Sequence, residues 1–140
     1  MVDIISILIA GFASSIVWFF IGAIVYMNPF VTNIYKKYEN NPSVKNRKNV
    51  KTFLLNTFFL SILFQCLIFA VIYAYILPIL PGTLLLNTLY FGLILILVKI
   101  IPRFFDMYVQ SQYPMALLII EIINGSIGSI VIAFVIAILV

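Results

Sequence analysis

The chain has 140 residues, of which 65% are hydrophobic and 9% are charged, and its formal net charge is +4. These fractions and a mean hydropathy of +1.25 exclude a soluble globular fold, since soluble domains are roughly half apolar and a quarter charged. The sequence contains no histidine, the commonest metal and haem ligand and the usual acid-base group near neutral pH, so we expect no metal, cofactor or catalytic site.

The first apolar stretch carries no charge from residue 4 to about residue 26, and about 20 apolar residues suffice to cross a bilayer. It ends at Asn28-Pro29, because proline and the restricted residue before it interrupt a helix. No basic residue precedes the stretch, so we interpret it as a retained span, with a removable signal as the alternative. The polar segment 27–51 that follows predicts a loop, alone or with a short interfacial helix.

The second and third spans are separated by a tight, uncharged connection that contains Pro78, Pro81 and Gly82. The third span is therefore expected to lie antiparallel to the second. Pro102 marks the expected end of the third span, with a kinked continuation toward Asp106 as the alternative. The pattern therefore predicts an all-α integral membrane protein, a four-transmembrane-helix bundle of two antiparallel hairpins forming one membrane domain over residues 1–140. The predicted spans are about 4–26, 52–77, 83–101 and 115–140.

Positive charge is concentrated between the first two spans. The positive-inside rule places this basic loop in the cytoplasm, so we expect a multi-pass protein of the cell membrane with both termini outside. The cluster is also suited to anionic lipid head groups or an acidic partner, whereas no nucleic-acid partner is expected of a short tethered loop without a recognition module. Six of the chain's eight cations belong to this loop: Lys36, Lys37, Lys45, Arg47, Lys48 and Lys51.

Polar side chains inside apolar spans are costly, so they mark the candidate site. Glu121 lies about six residues into the fourth span, and Asn124 follows it on a shared helix face. One interpretation makes Glu121 a buried acid, neutralised by Lys99 or Arg103 or kept protonated, that locks the third span to the fourth. The other makes it a proton or cation site in a translocation path, with Asn124 as a further ligand.

A second polar seam follows the second span, where Thr57, Ser61 and Gln65 recur every four residues. Interhelical hydrogen bonds account for this seam, and so does a water-filled crevice shared with Glu121. The tyrosines near the predicted interfaces, including Tyr26 and Tyr113, are expected to act as membrane-interface anchors, as is Tyr35.

Small residues recur along the last and first spans. Such stripes let a neighbouring backbone approach closely, so we expect these two spans to pack against each other or against a partner. The residues are Gly125, Ser129, Ala133 and Ala137 in the fourth span, and Gly11, Ser15 and Gly22 in the first.

Two stretches resemble a known family. The segment from Gly22 to Phe30 is similar to the Gly-Ala-x-x-Tyr-x-x-Pro signature of the small four-helix membrane proteins called domain of unknown function 1761. The order of Pro102, Asp106 and Glu121 is similar to that family's proline, polar and acidic positions. The resemblance implies a four-helix membrane architecture and does not imply an activity.

Together these features predict a non-enzymatic four-helix membrane protein that acts through helix packing. Its expected partners are membrane lipids and either other membrane subunits, to which it would be an accessory, or further copies of itself. The alternative is a small oligomeric transporter or channel that uses Glu121 within the membrane. An enzyme acting on lipid or quinone has the least support, since it would depend on Asp106 and Glu121 alone.

Overall fold

The computed structural model describes residues 3–45 and 49–140, and the regular structure within those ranges is helical throughout. Four of its helices are long and apolar enough to cross a membrane, which confirms the predicted all-α architecture with four spans. Arg47 and Lys48 of the predicted basic loop lie outside the described residues. The helices are α1 (Ile4–Met27), α2 (Pro29–Lys37), α3 (Val50–Ile79), α4 (Leu84–Gln110) and α5 (Met115–Leu139).

The short helix α2 begins immediately after α1. Asn28 caps it, since the side-chain Oδ1 accepts the Phe30 backbone N–H at 2.9 Å, and Pro29 occupies the first turn, where a missing N–H costs nothing. The Thr32 hydroxyl donates to the Tyr26 carbonyl at 3.2 Å and so fastens α2 to the end of α1. The basic segment therefore opens with the short helix that the sequence analysis allowed for.

The helix α4 runs through Pro102 to Gln110, beyond the expected end near residue 101. A π-helical segment at Ile96–Ile100 immediately precedes the proline. Proline lacks the N–H for the ordinary hydrogen bond and crowds the carbonyl four residues earlier, and a wider turn accommodates both defects. The continuation, offered as the alternative, is the one observed.

The central element of the bundle is α5, which packs along both α1 and α4, while α1 also packs along α3. The two hairpins, α1 with α3 and α4 with α5, are therefore pairs of neighbouring helices. Although only a short turn joins α3 to α4, these two helices meet through large side chains, as in the edge-to-face contact of Tyr73 with Phe91 at 5.0 Å between ring centroids. Gly82, with a φ of 89°, supplies the left-handed residue of that turn.

Small residues mediate the closest contacts in the bundle. A Cβ at Gly11 would stand 2.9 Å from Leu67 Cα on α3, and one at Gly125 would meet the Ile100 side chain on α4. Buried Ser129 turns its hydroxyl onto the Gly125 carbonyl at 2.8 Å, which leaves an apolar packing surface. Ser15 and Ala133 are also buried, and Ala137 packs at the edge of the core.

Gly22 differs from the rest of the predicted stripe. No atom lies within 4 Å of the position that its Cβ would take, so no close approach requires glycine there. The contact between α1 and α5 is made instead at Gly128, which lies directly against the Trp18 indole.

Candidate functional site

Six polar residues meet at the end of the bundle that carries α2. We call this group the polar cluster, and it draws on every helix except α3. Tyr26 belongs to α1, Tyr35 to α2, Arg103 to α4, Tyr113 to the connection before α5, and Glu121 and Asn124 to α5.

The turn at Asn28-Pro29 produces the first contact of the polar cluster. It folds α2 back, so that the Tyr35 ring meets the Tyr26 ring edge to face, with centroids 5.7 Å apart. The two hydroxyls are hydrogen bonded. The cluster thus depends on α2 lying against the bundle.

Glu121 lies at the other side of the cluster and uses both carboxylate oxygens. The Tyr113 hydroxyl donates to Oε1 at 2.6 Å, and Arg103 Nη2 donates to Oε2 at 3.2 Å. The Glu121 side chain is 21% exposed and that of Arg103 is 60% exposed. Among the described residues this is the one ion pair, and it lies at the rim of the bundle.

The hydrogen bonds of the cluster run in one direction. A tyrosine hydroxyl can donate a single hydrogen bond. Tyr113 donates its hydrogen bond to the Glu121 carboxylate, which can only accept. The Tyr35 hydroxyl is hydrogen bonded to Tyr113 and must therefore be the donor of that bond. The Tyr26 hydroxyl is hydrogen bonded to Tyr35 and must likewise be the donor. Tyr26 then accepts from the Asn124 amide, the remaining partner of its hydroxyl.

This direction accounts for an unpaired atom. If Asn124 donates its amide N–H to Tyr26, its carbonyl oxygen is left to find another donor. Asn124 is only 6% exposed, and its Oδ1 is buried without a hydrogen-bond partner. The chain of hydrogen bonds thus begins at the amide N–H of Asn124, whose own oxygen is buried without a partner, and ends at Glu121.

Burial also affects acidity at the ends of α2 and α5. Burial raises the pKa of Tyr35, and the neighbouring Tyr113 raises it further. Burial and the hydrogen bond to Glu121 raise the pKa of Tyr113 to about 12. Both phenols therefore remain neutral donors at physiological pH.

Lys99, the other predicted partner of Glu121, lies elsewhere. Its ammonium lies over the Phe69 ring of α3, 5.4 Å from the centroid, which is a cation–π geometry. Arg103 stands seven residues before the end of α4 and Glu121 six residues after the start of α5, so both lie about 10 Å from those ends. Lys99 lies one turn farther from the end of α4, and the continuation of that helix is what brings Arg103 level with the carboxylate.

Gln65 and its seam are satisfied within α3 instead of within the polar cluster. Gln65 Nε2 donates to Ser61 Oγ at 3.3 Å, and the Thr57 hydroxyl donates to the Phe53 carbonyl at 2.8 Å. Ser61 is exposed on the outside of the bundle, as is Asn56 one turn earlier. The structure therefore brings together Glu121 and Asn124, and leaves Lys99 and Gln65 apart from them.

Tyr26, Tyr35 and Tyr113 were predicted to be membrane-interface anchors and not site residues. One available signal was that Tyr26 is the tyrosine of the Gly-Ala-x-x-Tyr-x-x-Pro segment. Among the described residues no group of three or more acidic or cysteine side chains is placed to hold a metal ion. The chemistry open to the cluster is hydrogen bonding and the movement of protons along it.

The fold and the polar cluster define a class: small helical membrane proteins with four spans, three of which are linked at one end by polar side chains. Within that class, the chain belongs to the family described as protein of unknown function DUF1761, whose model matches residues 9–137. The match includes every member of the polar cluster and confirms the resemblance seen in the sequence. No curated protein and no solved structure matches the chain.

Proposed function

We propose that this protein is a non-enzymatic membrane protein that acts by helix packing, and that it binds a further transmembrane helix through the outer face of α3. The bound helix belongs either to a larger membrane complex, in which this chain is an accessory subunit, or to another copy of the chain. The observation that carries the proposal is the presence of exposed polar side chains on α3.

Polar residues within a span almost always face protein or a water-filled cavity. Asn56 and Ser61 are nevertheless exposed, and half-buried Gln65 is bonded to Ser61. Of the four spans α3 is also the least covered by the rest of the bundle. In its most apolar stretch 17% of the residues are buried, against 28%, 33% and 39% in α1, α4 and α5. A partner helix packed on this face of α3 would form hydrogen bonds with Asn56 and Ser61, which the hydrocarbon of the lipid cannot form.

The small-residue faces support the same choice of surface. Gly11, Gly125 and Gly128 are each covered by a side chain or backbone of this same chain. These three glycines are used inside the bundle, whereas Gly22 on α1 is open. Compared with that single open glycine, the polar face of α3 also offers hydrogen-bonding groups to a partner helix.

Cross-linking tests this proposal. In a Cys66→Ala background, a Ser61→Cys variant oxidised in native membranes is expected to form a disulfide-linked or reagent-linked product. The matched control is Val98→Cys, at a residue that is also exposed but lies on α4. Equal yields from the two positions would contradict a specific interface on α3.

We further propose that the basic segment and the polar cluster face the cytoplasm and that both chain ends face outward. Lys36, Lys37 and Lys45 lie between α1 and α3, and Lys51 lies in the first turn of α3, which supports this orientation. Labelling with a membrane-impermeant thiol reagent tests it, again in the Cys66→Ala background. Intact cells should leave Ser43→Cys unlabelled and label Thr83→Cys, and the reverse pattern would contradict the orientation.

A second candidate function is a small oligomeric transporter that uses Glu121. It is favoured by the chain of hydrogen bonds that runs in one direction from the Asn124 amide N–H to the Glu121 carboxylate. Under this proposal Glu121→Gln abolishes proton-coupled or cation flux in proteoliposomes while the protein remains folded. Flux equal to that of the wild type, or no flux from either protein, would eliminate this candidate.

A further inference from the structure

An apolar groove lies between α1 and α3, on the surface that faces the lipid. Its volume is about 370 Å³, within the range of roughly 300–1,000 Å³ found for small-ligand sites. Every side chain that lines it is apolar. These are Ile16, Phe19 and Phe20 of α1, with Leu54, Leu55 and Phe58 of α3.

The groove lies in one leaflet. Phe20 is seven residues from the end of α1, and Leu54 is four residues from the start of α3, which are about 10 Å and 6 Å along the helix axes. Both helix ends adjoin the basic segment. A hydrocarbon chain in the groove would therefore begin close to the head-group level on that side.

A basic residue shares one face of α3 with two residues of the groove. Lys51 precedes Leu54 and Leu55 by three and four residues, a spacing that puts all three side chains on one face of α3. Lys51 is exposed, and its ammonium can extend toward head groups while its stem covers the apolar surface. The described part of the segment adds Lys36, Lys37 and Lys45 against a single acid, Glu39.

We propose that this groove binds one acyl chain of an anionic phospholipid whose head group is held by Lys51. The apolar lining provides no polar group for a peptide or a sugar, and the adjoining charge favours an anionic lipid over a zwitterionic one. This inference rests on other residues than the proposed helix partner does, because neither Asn56 nor Ser61 lines the groove. Failure of either proposal leaves the other standing.

Native mass spectrometry tests the site on the full chain, purified from nanodiscs that contain equal amounts of phosphatidylglycerol and phosphatidylcholine. The wild type is expected to retain one phosphatidylglycerol selectively. Lys51→Gln should reduce that preference about five-fold, the effect of one basic residue near a charged head group. The matched control is Lys45→Gln, which makes the same change of charge away from the groove and should retain the preference.

A second variant tests the acyl-chain part of the site. Leu55 is 48% exposed, so Leu55→Phe enlarges a lining residue without straining the core, and it should lower retention of the lipid whatever its head group. The proposal is overturned if the wild type retains both lipids equally, if Lys45→Gln and Lys51→Gln lose the preference alike, or if Leu55→Phe retains lipid as well as the wild type.

Discussion

Glu121 is held by two unequal contacts, and the difference decides which residue stabilises the cluster. The Arg103 guanidinium is 60% exposed, so solvent screens the ion pair and leaves about 0–1 kcal/mol. The hydrogen bond from Tyr113 is 2.6 Å long and goes to a charged acceptor, an interaction that contributes about 1.5–3 kcal/mol. The tyrosine therefore contributes more than the arginine.

Substitution of each donor checks this ranking. Tyr113→Phe should lower the free energy of unfolding by about 1.5–3 kcal/mol, and Arg103→Gln by at most about 1 kcal/mol. Unfolding in mild detergent, followed by circular dichroism, provides both values. Tyr108→Phe, at a 59% exposed tyrosine with no hydrogen bond to Glu121, is the control and should match the wild type. An arginine variant less stable than the Tyr113 variant would reverse our assignment.

The raised pKa of Tyr113 also predicts a pH dependence. A phenol of pKa about 12 in the folded protein, against about 10 when unfolded, favours the folded state at every pH below 10. This contribution is lost as the pH rises from about 10 through 12, because the unfolded chain then releases the proton more readily. The difference in unfolding free energy between wild type and Tyr113→Phe should be constant up to pH 10 and shrink above it. A difference that shrinks below pH 9 would show that another group is responsible.

Of the residues in the polar cluster, the sequence identified Glu121 and Asn124 but not the three tyrosines. Glu121 and Asn124 could be identified because a polar residue within an apolar span is conspicuous. Tyr35 could not, because its role arises from the Asn28-Pro29 turn that folds α2 back, and a tyrosine near an interface has the same local pattern as an anchor. The partner of Glu121 was left between Lys99 and Arg103, and the course of α4 beyond Pro102 decided it.

Among the helices, α1 and α5 meet in a tight contact where Gly128 lies against Trp18. Gly128→Ala should destabilise the protein by about 1–3 kcal/mol, because the new methyl group overlaps the indole and one of the two helices must move. Gly22→Ala makes the same chemical change where no atom lies within 4 Å, and it should be neutral or stabilising by up to about 1 kcal/mol. Thermal unfolding of the two variants separates the effects. Equal stability of the two variants would contradict the packing described here.

The spans themselves were predictable, since length and hydropathy alone define them. The end of α4 was not decided by the sequence, because the π-helical turn at Ile96–Ile100 that admits Pro102 depends on neighbouring helices to hold it. In the structure Gly125 and Gly128 of α5 each lie directly against a side chain of a neighbouring helix. Gly22 shows the limit of such patterns, since a small residue at an open position of a helix looks the same in the sequence as one at a contact.

For the whole molecule, the internal polar groups and the external ones have different consequences. The polar cluster ties α1, α2, α4 and α5 together at one end, whereas α3 has no part in it. The polar side chains of α3 are hydrogen bonded locally or exposed. An isolated bundle would present those exposed groups to lipid, and a helix partner removes that cost.

The most direct test of this central claim is the mass of the protein in native nanodiscs, measured together with the identity of any co-purifying subunits. We predict that the wild type emerges in a defined complex, with itself or with another membrane protein. A variant carrying Asn56→Leu, Ser61→Leu and Gln65→Leu should emerge as a folded single chain, while Leu97→Ala with Val98→Ala on α4 should leave the complex intact. A wild type that emerges folded and alone, or a triple variant that retains the complex, would contradict the proposal.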